Sequence, residues 1–255
     1  MQLAQLASIT IGNAQLYQRE HEIAAELQRS LLPQDLPSLP GIEVAVRYYA
    51  GATGVDIGGD WYDVFPVGDK SFALVLGDVA GRGIKAASVM GQLRMALRVY
   101  ALQERSPSDV VARLDRLVQQ LGLVEFATLA YAVWTPDQGG LDLVLAGHPA
   151  PLVMAPKGEI SYALAEPSAP LGAVPDAIFQ TTHLDIAQGS TLLLYSDGLV
   201  EARDLPLDAG LERLRASVAS APPDLEGLCD HVAERALSSD ADDDVTLLAV
   251  RGLGS

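Results

Sequence analysis

The chain is short of thiols, histidine, basic charge and long apolar runs, and each shortage removes a class of protein. Its one cysteine, Cys229, cannot form an internal disulfide, and its place in a helical-looking stretch, Leu225 to Leu237, suits a small apolar core residue. The four histidines, His21, His148, His183 and His231, show neither the paired nor the helix-spaced pattern of zinc hydrolases, which disfavours zinc. Lys and Arg number 17 against 33 Asp and Glu, a formal charge of -16. Such a chain repels phosphate backbones and anionic lipid surfaces, so no nucleic acid and no membrane is expected among its partners. No apolar run approaches the length of a membrane span, and the start, MQLAQLASITIGNAQ, lacks the basic residues and unbroken apolar stretch of a signal peptide. A cytoplasmic location is therefore expected. A GxSxG elbow, a cysteine beside a basic loop and a P-loop are also missing, which leaves no obvious protein nucleophile.

What is present fills one large domain with an appended helix, and 255 residues can build a core without disulfides or structural zinc. From Leu3 to Leu32, apolar Leu6, Ile9, Leu16, Ile23 and Leu27 recur at three- and four-residue steps. This helix either pairs with another helix or folds onto its own domain. Pro33, Pro37 and Pro40 end it and form a linker to Gly41. Strands are expected at Glu43 to Tyr49, at Trp61 to Val67 and Ser71 to Val79 as a hairpin around Gly68-Asp69, and at Phe126 to Trp134 and Leu141 to Leu145. Further strands are Leu152 to Ala155, Ser161 to Leu164, Thr191 to Tyr195 and Val245 to Val250. Helices are expected at Lys85 to Leu102, from Ser106-Pro107 to Leu121, at Gly210 to Ser220 and at Asp224 to Leu237. Hairpin-linked strands with helices grouped in pairs indicate an α+β layered sandwich, not a doubly wound parallel sheet.

Four segments share one design, in which apolar strand residues run into or out of an aspartate beside glycine or another acid: IGGDWYD, LVLGDVAGRG, LLLYSDGLVEARD and DADDDVTLLAV. Asp beside Gly is ordinary turn chemistry, so no single segment decides anything. Together they place Asp60, Asp78, Asp197 and Asp243 at strand ends, where an isolated carboxylate is costly to bury and a shared cation offsets the cost. Hard cations such as Mg²⁺ or Mn²⁺ prefer such oxygen ligands. Gly58, Gly59, Gly77 and Gly198 remove side chains where backbone must approach an ion or substrate.

These motifs, with LQRSLLP, GGDWYDVF, GDVAGRGIKAA, the FATL-to-AGHPAPL stretch, PLG and DDDVTLL in that order, resemble the SpoIIE and RsbU-type branch of the PPM, or protein phosphatase type 2C-like, metal-dependent serine/threonine phosphatases. The resemblance runs from Leu27 onward. It implies a four-layer α-β-β-α sandwich of two antiparallel sheets flanked by helices, with two Mn²⁺ or Mg²⁺ ions at one edge and a third left open. Carried over by motif, Asp60, Asp78, Asp197 and Asp243 are the catalytic metal ligands, joined by the Val79 backbone carbonyl. Asp244 and Gly198 come out as outer residues. Asp63 points away from Asp60 in an ideal strand and is a weaker, water-mediated candidate.

The same resemblance implies hydrolysis of phosphoserine or phosphothreonine, with a phosphorylated STAS-domain anti-sigma-factor antagonist as substrate. It also implies an upstream sensory domain in the same full-length chain, while the spacing of the amino-terminal helix suits a homodimer through it as one of its two readings. The division expected is a signalling or linker helix over 1–32, a Pro-rich linker over 33–40 and the phosphatase domain over 41–252. Two departures stand out. Type 2C relatives often carry a histidine just after the equivalent of Asp78, but this chain reads Asp78-Val79-Ala80-Gly81, which leaves protonation of the leaving group to a metal-bound water. Closer relatives often have GHG where Gly81-Arg82-Gly83 stands. His148, beside Gly147 and Pro149, has the setting of a structural turn residue and is left out of catalysis. The rival function is a catalytically silent phosphatase-fold module that sequesters a phosphoprotein, whose signature would be lost ligand acids.

Overall fold

A computed structural model describes residues 10, 12, 19, 23, 26–28, 30–33, 36, 39–49, 58–104, 106–135, 139–201, 206–237 and 244–253. Its strands are β1 (Ile42–Tyr49), β2 (Trp61–Pro66), β3 (Phe72–Val79), β4 (Ala127–Thr135), β5 (Gly140–Ala146), β6 (Leu152–Met154), β7 (Ile160–Tyr162), β8 (Pro167–Ser168), β9 (Thr182–Asp185), β10 (Thr191–Tyr195) and β11 (Val245–Gly252). Helices α1 (Gly83–Gln103) and α2 (Pro107–Leu121) lie between β3 and β4, and α3 (Leu207–Ala219) and α4 (Leu225–Leu237) between β10 and β11.

The strands form two sheets, one ordered β1-β11-β10-β6-β7 and the other β2-β3-β4-β5 with β8 and β9 both on β5. All pairings are antiparallel except the two-residue β5–β8 contact at Leu145 and Ala146, a small departure from the purely antiparallel expectation. β8 and β9 carry no alternating pattern strong enough to announce them. Helices α1 and α2 cover the β2-β3-β4-β5 sheet, sharing a core that includes Trp61, Val75, Met90, Leu93, Leu97, Leu114 and Tyr131. The sheets face each other across Leu74, Leu76, Ala130, Trp134, Leu143, Leu192, Leu194 and Leu248. On the far side, Leu193, Tyr195, Leu247 and Ala249 pack against Leu214, Leu228 and Val232 of α3 and α4. Three apolar layers between four layers of structure make the α-β-β-α sandwich.

Local chemistry explains the element ends. Helix α1 buries Ala86, Met90, Leu93, Leu97 and Ala101, a four-then-three spacing that keeps one face inward. Helix α2 has Ser106 before it, Pro107 in its first turn and Gly122 in the left-handed conformation after it, the usual Pro-start and Gly-stop asymmetry. Helix α3 starts at Leu207, directly after Pro206 and three residues ahead of the expected Gly210.

Among the described amino-terminal residues, Thr10, Gly12, Arg19, Ile23, 26–28 and 30–31 are helical. Its end meets the domain at α1: a Cβ on Gly91 would fall 2.9 Å from both methyl carbons of Leu31, and Arg94 Nη1 donates to the Leu31 carbonyl at 2.6 Å. Most of the rest of this segment and half of the 33–40 linker lie outside the described residues.

Candidate metal centre

Asp60 leads into β2 and is buried, at 3% exposure. It faces the other sheet, where Thr246 of β11 donates its hydroxyl to Asp60 Oδ2 at 2.7 Å. Burial first, then the neighbouring Asp78 charge, holds the Asp60 carboxyl well above the ordinary carboxylate range; Asp244 adds to this, while the Thr246 and Ser196 hydroxyls oppose it. Asp60, Asp78 and Asp244 thus crowd one end of the gap between the sheets. A like-charge cluster there is unfavourable until a cation shares it.

The backbone around Asp60 is built for close approach. The Val79 amide donates to the Gly59 carbonyl at 3.2 Å, and any Cβ on Gly59 would collide with the Val79 carbonyl oxygen. Only glycine lets the two loops touch, which sets Asp60 beside the Val79 carbonyl. Gly77 performs a related service, since a Cβ there would strike the indole of Trp61, a fully buried side chain.

Asp78 is the seventh residue of β3 and stands directly opposite Thr128 of β4. Asp197 begins a 3-10 turn, Asp197–Leu199, whose geometry comes from the Asp197 carbonyl accepting the Val200 amide at 2.8 Å and the Glu201 amide at 2.7 Å. Gly198 is buried in that turn. Ser196, just before it, donates its hydroxyl to the Asp244 carbonyl at 3.2 Å and accepts the Thr246 amide at 2.9 Å. These bonds knit the ends of β10 and β11 beneath Asp60.

Asp243 lies outside the described residues. Asp244 is buried and braces the Asp60 loop from behind, its Oδ2 accepting the Gly58 amide at 3.1 Å and the Tyr48 hydroxyl at 2.5 Å. Burial, with the Asp244 charge second, raises the Tyr48 phenol far above its ordinary value, so it stays a donor. Asp63 has a different role from the water-mediated one expected. Fully buried, it turns towards α1, where Arg94 Nε reaches Oδ2 at 2.9 Å and Arg98 Nε and Nη2 reach Oδ2 and Oδ1 at 2.6 Å each. Two guanidinium groups occupy both oxygens.

Tyr48, Ser196, Arg94, Arg98 and Gln28 escaped the sequence reading. Gln28 Nε2 donates to the Tyr48 hydroxyl at 2.5 Å and to the Gly58 carbonyl at 3.1 Å, linking the amino-terminal helix to the Asp60 loop. Thr246 within DDDVT, Ser196 within LLLYSDG and Gln28 within LQRSLLP lay in motifs, but nothing in those motifs announced their partners. Contacts that join residues up to 196 positions apart leave no local trace.

The donors suit a hard cation, since those gathered are carboxylate and carbonyl oxygens. Among the described residues no three His, Cys, Asp or Glu side chains gather closely enough to hold an ion unaided. Mg²⁺ characteristically uses one or two carboxylates and keeps several waters.

The family model described as Stage II sporulation protein E (SpoIIE) matches residues 68–252. The phosphoserine phosphatase RsbU of Bacillus subtilis is 29% identical over 196 residues, covering 75% of this chain and 56% of that protein. Among solved structures, the RsbU and RsbW domains of Rv1364c from Mycobacterium tuberculosis superpose with a TM-score of 0.77 at 33% identity, over 88% of this chain and 63% of that one. The PP2C phosphatase domain of SpoIIE from Bacillus subtilis, with a fragment of its regulatory domain, gives a TM-score of 0.72 at 15% identity, over 84% of this chain and 63% of that one. This chain spans about a third to just over half the length of the curated relatives it matches.

Proposed function

Because this chain belongs to the SpoIIE family, in the SpoIIE and RsbU branch of the PPM phosphatases, we propose that it is a metal-dependent serine/threonine protein phosphatase. The observation that carries this is the Asp60 carboxyl at one end of the gap between the sheets, bonded by Thr246 of the facing sheet and lifted first by its burial and then by the neighbouring Asp78 and Asp244 charges. Asp60, Asp78, Asp197, Asp243 and the Val79 carbonyl are the residues that would hold two Mn²⁺ or Mg²⁺ ions. When bound, such ions supply a more acidic water for attack on phosphorus and positive charge for the phosphoryl oxygens. The chain's own part is to set the oxygens in place. Thr246 and Ser196 favour the ionised form of Asp60, Gly59 admits the Val79 carbonyl beside it, and Asp244 secures the Gly58 amide.

The substrate proposed is a phosphorylated STAS-domain protein in a bacterial sigma-factor pathway. Residues 1–32 are proposed as the end of a sensory domain, able to pair two copies, followed by a linker over 33–40 and the phosphatase domain over 41–252. Support for control through that helix comes from Gln28, which binds the Asp60 loop at Gly58, and from Arg94, which ties Leu31 to Asp63.

The test is phosphate release from a phosphoserine STAS protein with and without Mn²⁺. The proposal expects metal-stimulated turnover in the wild type, abolished by EDTA and reduced more than about a hundredfold by Asp78→Asn or Asp197→Asn. Tight binding of the phosphoprotein without any turnover would instead identify a sequestering module.

A further inference from the structure

The imidazole of His148 is buried at 6% exposure and belongs to none of the chemistry above. Its Nδ1 lies 2.9 Å from the Thr128 hydroxyl, Nε2 is sealed from solvent and makes no hydrogen bond of ordinary geometry, and the Tyr195 backbone is near enough to act on the ring as a weak hydrogen-bond partner. Burial pushes the ring down to about 4, against the Tyr195 backbone, which favours the protonated form. At neutral pH His148 is therefore an uncharged ring with a single N–H.

Two strand ends meet at this ring. Thr128 is the direct cross-strand partner of Asp78, and such partners share a face with their Cβ atoms about 5 Å apart. Leu76 on β3 and Ala130 on β4 point into the gap between the sheets, so Asp78 and Thr128, two residues along from each, point there too. The Tyr195 backbone, which also acts on the ring, ends β10 two residues before Asp197. Asp78 stands on one sheet and Asp197 just past the last strand residue of β10 in the other, and His148 contacts β4 through Thr128 and β10 through the Tyr195 backbone.

The backbone that delivers His148 is held on both sides. Gly147 adopts φ 65°, its amide donates to the Ser168 carbonyl at 2.8 Å, and a Cβ on it would collide with Pro170. The ring is placed by construction, not by chance packing at a turn.

We infer that His148 is a positioning residue of the metal centre, an inter-sheet wedge that holds Thr128 against Asp78 and steadies the end of β10 that leads into Asp197. This rests on the metal-centre reading above and adds to it a residue that never touches metal or substrate. A ring that served the turn alone would affect stability and leave metal affinity untouched.

The experiment is Mn²⁺ titration by isothermal calorimetry, with thermal unfolding in EDTA alongside, on wild type, Asp78→Asn, Thr128→Val, Thr128→Ser, His148→Leu and the Thr128→Val/His148→Leu double variant. Wild type should bind Mn²⁺ and Asp78→Asn should lose it. Thr128→Val, which keeps the shape without the hydroxyl, should bind about tenfold more weakly, as removal of an outer partner typically does, and Thr128→Ser should restore the affinity. His148→Leu should weaken binding by a similar factor, and the double variant should be no worse than either single one, because both break one connection. If His148→Leu does not fold, the Thr128 pair decides. Wild-type affinity in folded Thr128→Val, with Asp78→Asn defective, overturns the inference and leaves the metal centre standing. A wild type that binds no Mn²⁺ overturns both.

Discussion

Asp60 sits in a like-charge cluster that opposes the folded state while preparing it for a cation. Its folded carboxyl titrates above the unfolded value, so the protonated form contributes stability at acid pH that is lost as pH rises through the folded value. The metal-free protein should therefore be less stable at neutral pH than in mild acid, and divalent metal should restore what is lost. Asp60→Asn keeps an acceptor for the Thr246 hydroxyl and removes the charge. We expect it to raise the melting temperature in EDTA by roughly 2–4 °C, equivalent to about 1 kcal/mol for a chain of this size, while turnover disappears; a calorimetric scan and an activity assay read the two effects. Asp63 is the contrast. Its two arginines sit under α1, and Asp63→Ala would leave both without their buried counter-charge, at a cost of about 3 kcal/mol with a smaller effect on Mn²⁺ affinity than Asp78→Asn. Asp60, Asp78 and Asp197 could be singled out in the sequence because each stands beside glycine next to an apolar run, whereas Asp243, set among other acids, lies outside the described residues. That Asp63 turns to α1 was half legible: strand alternation separates it from Asp60, but nothing near residue 63 announces Arg94 and Arg98 some thirty positions on.

At the scale of elements, the centre depends on two backbone loops that touch. Gly59→Ala would force the Asp60 loop off the Val79 backbone, and overpacking of this kind costs about 1–3 kcal/mol. Turnover should fall more steeply than stability, because the Gly59–Val79 contact sets Asp60 beside the Val79 carbonyl; chemical unfolding and phosphate release distinguish the losses. Strand and helix positions followed from hydrophobic period and Pro/Gly punctuation at nearly every element, including the Pro107 start and Gly122 stop of α2. β8 and β9 did not, because short edge strands such as Pro167–Ser168 gain their pairing from β5 and not from their own composition. Tyr48 was equally hidden, an aromatic in an ordinary-looking strand whose role comes from Asp244, 196 residues away.

At the scale of the molecule, the end of the amino-terminal helix touches both the metal-side loop, through Gln28 to Gly58, and α1, through the Leu31 carbonyl to Arg94. A rigid shift of that helix would reach the Asp60 loop and α1 together. Gln28→Ala, which cuts the first contact without unfolding the domain, should change turnover by about three- to tenfold at saturating Mn²⁺, and deletion of residues 1–30 should change turnover and the oligomeric state seen by light scattering. Unchanged values in both would remove the helix from the mechanism. The proposed function depends on where metal binds. Anomalous diffraction at the manganese edge, from crystals grown with Mn²⁺, tests that most directly: peaks should lie between the sheets within ligand distance of Asp60, Asp78 and the Val79 carbonyl, and of Asp197 and Asp243. Strong peaks elsewhere on the protein, or none at these carboxylates at saturating Mn²⁺, would contradict it.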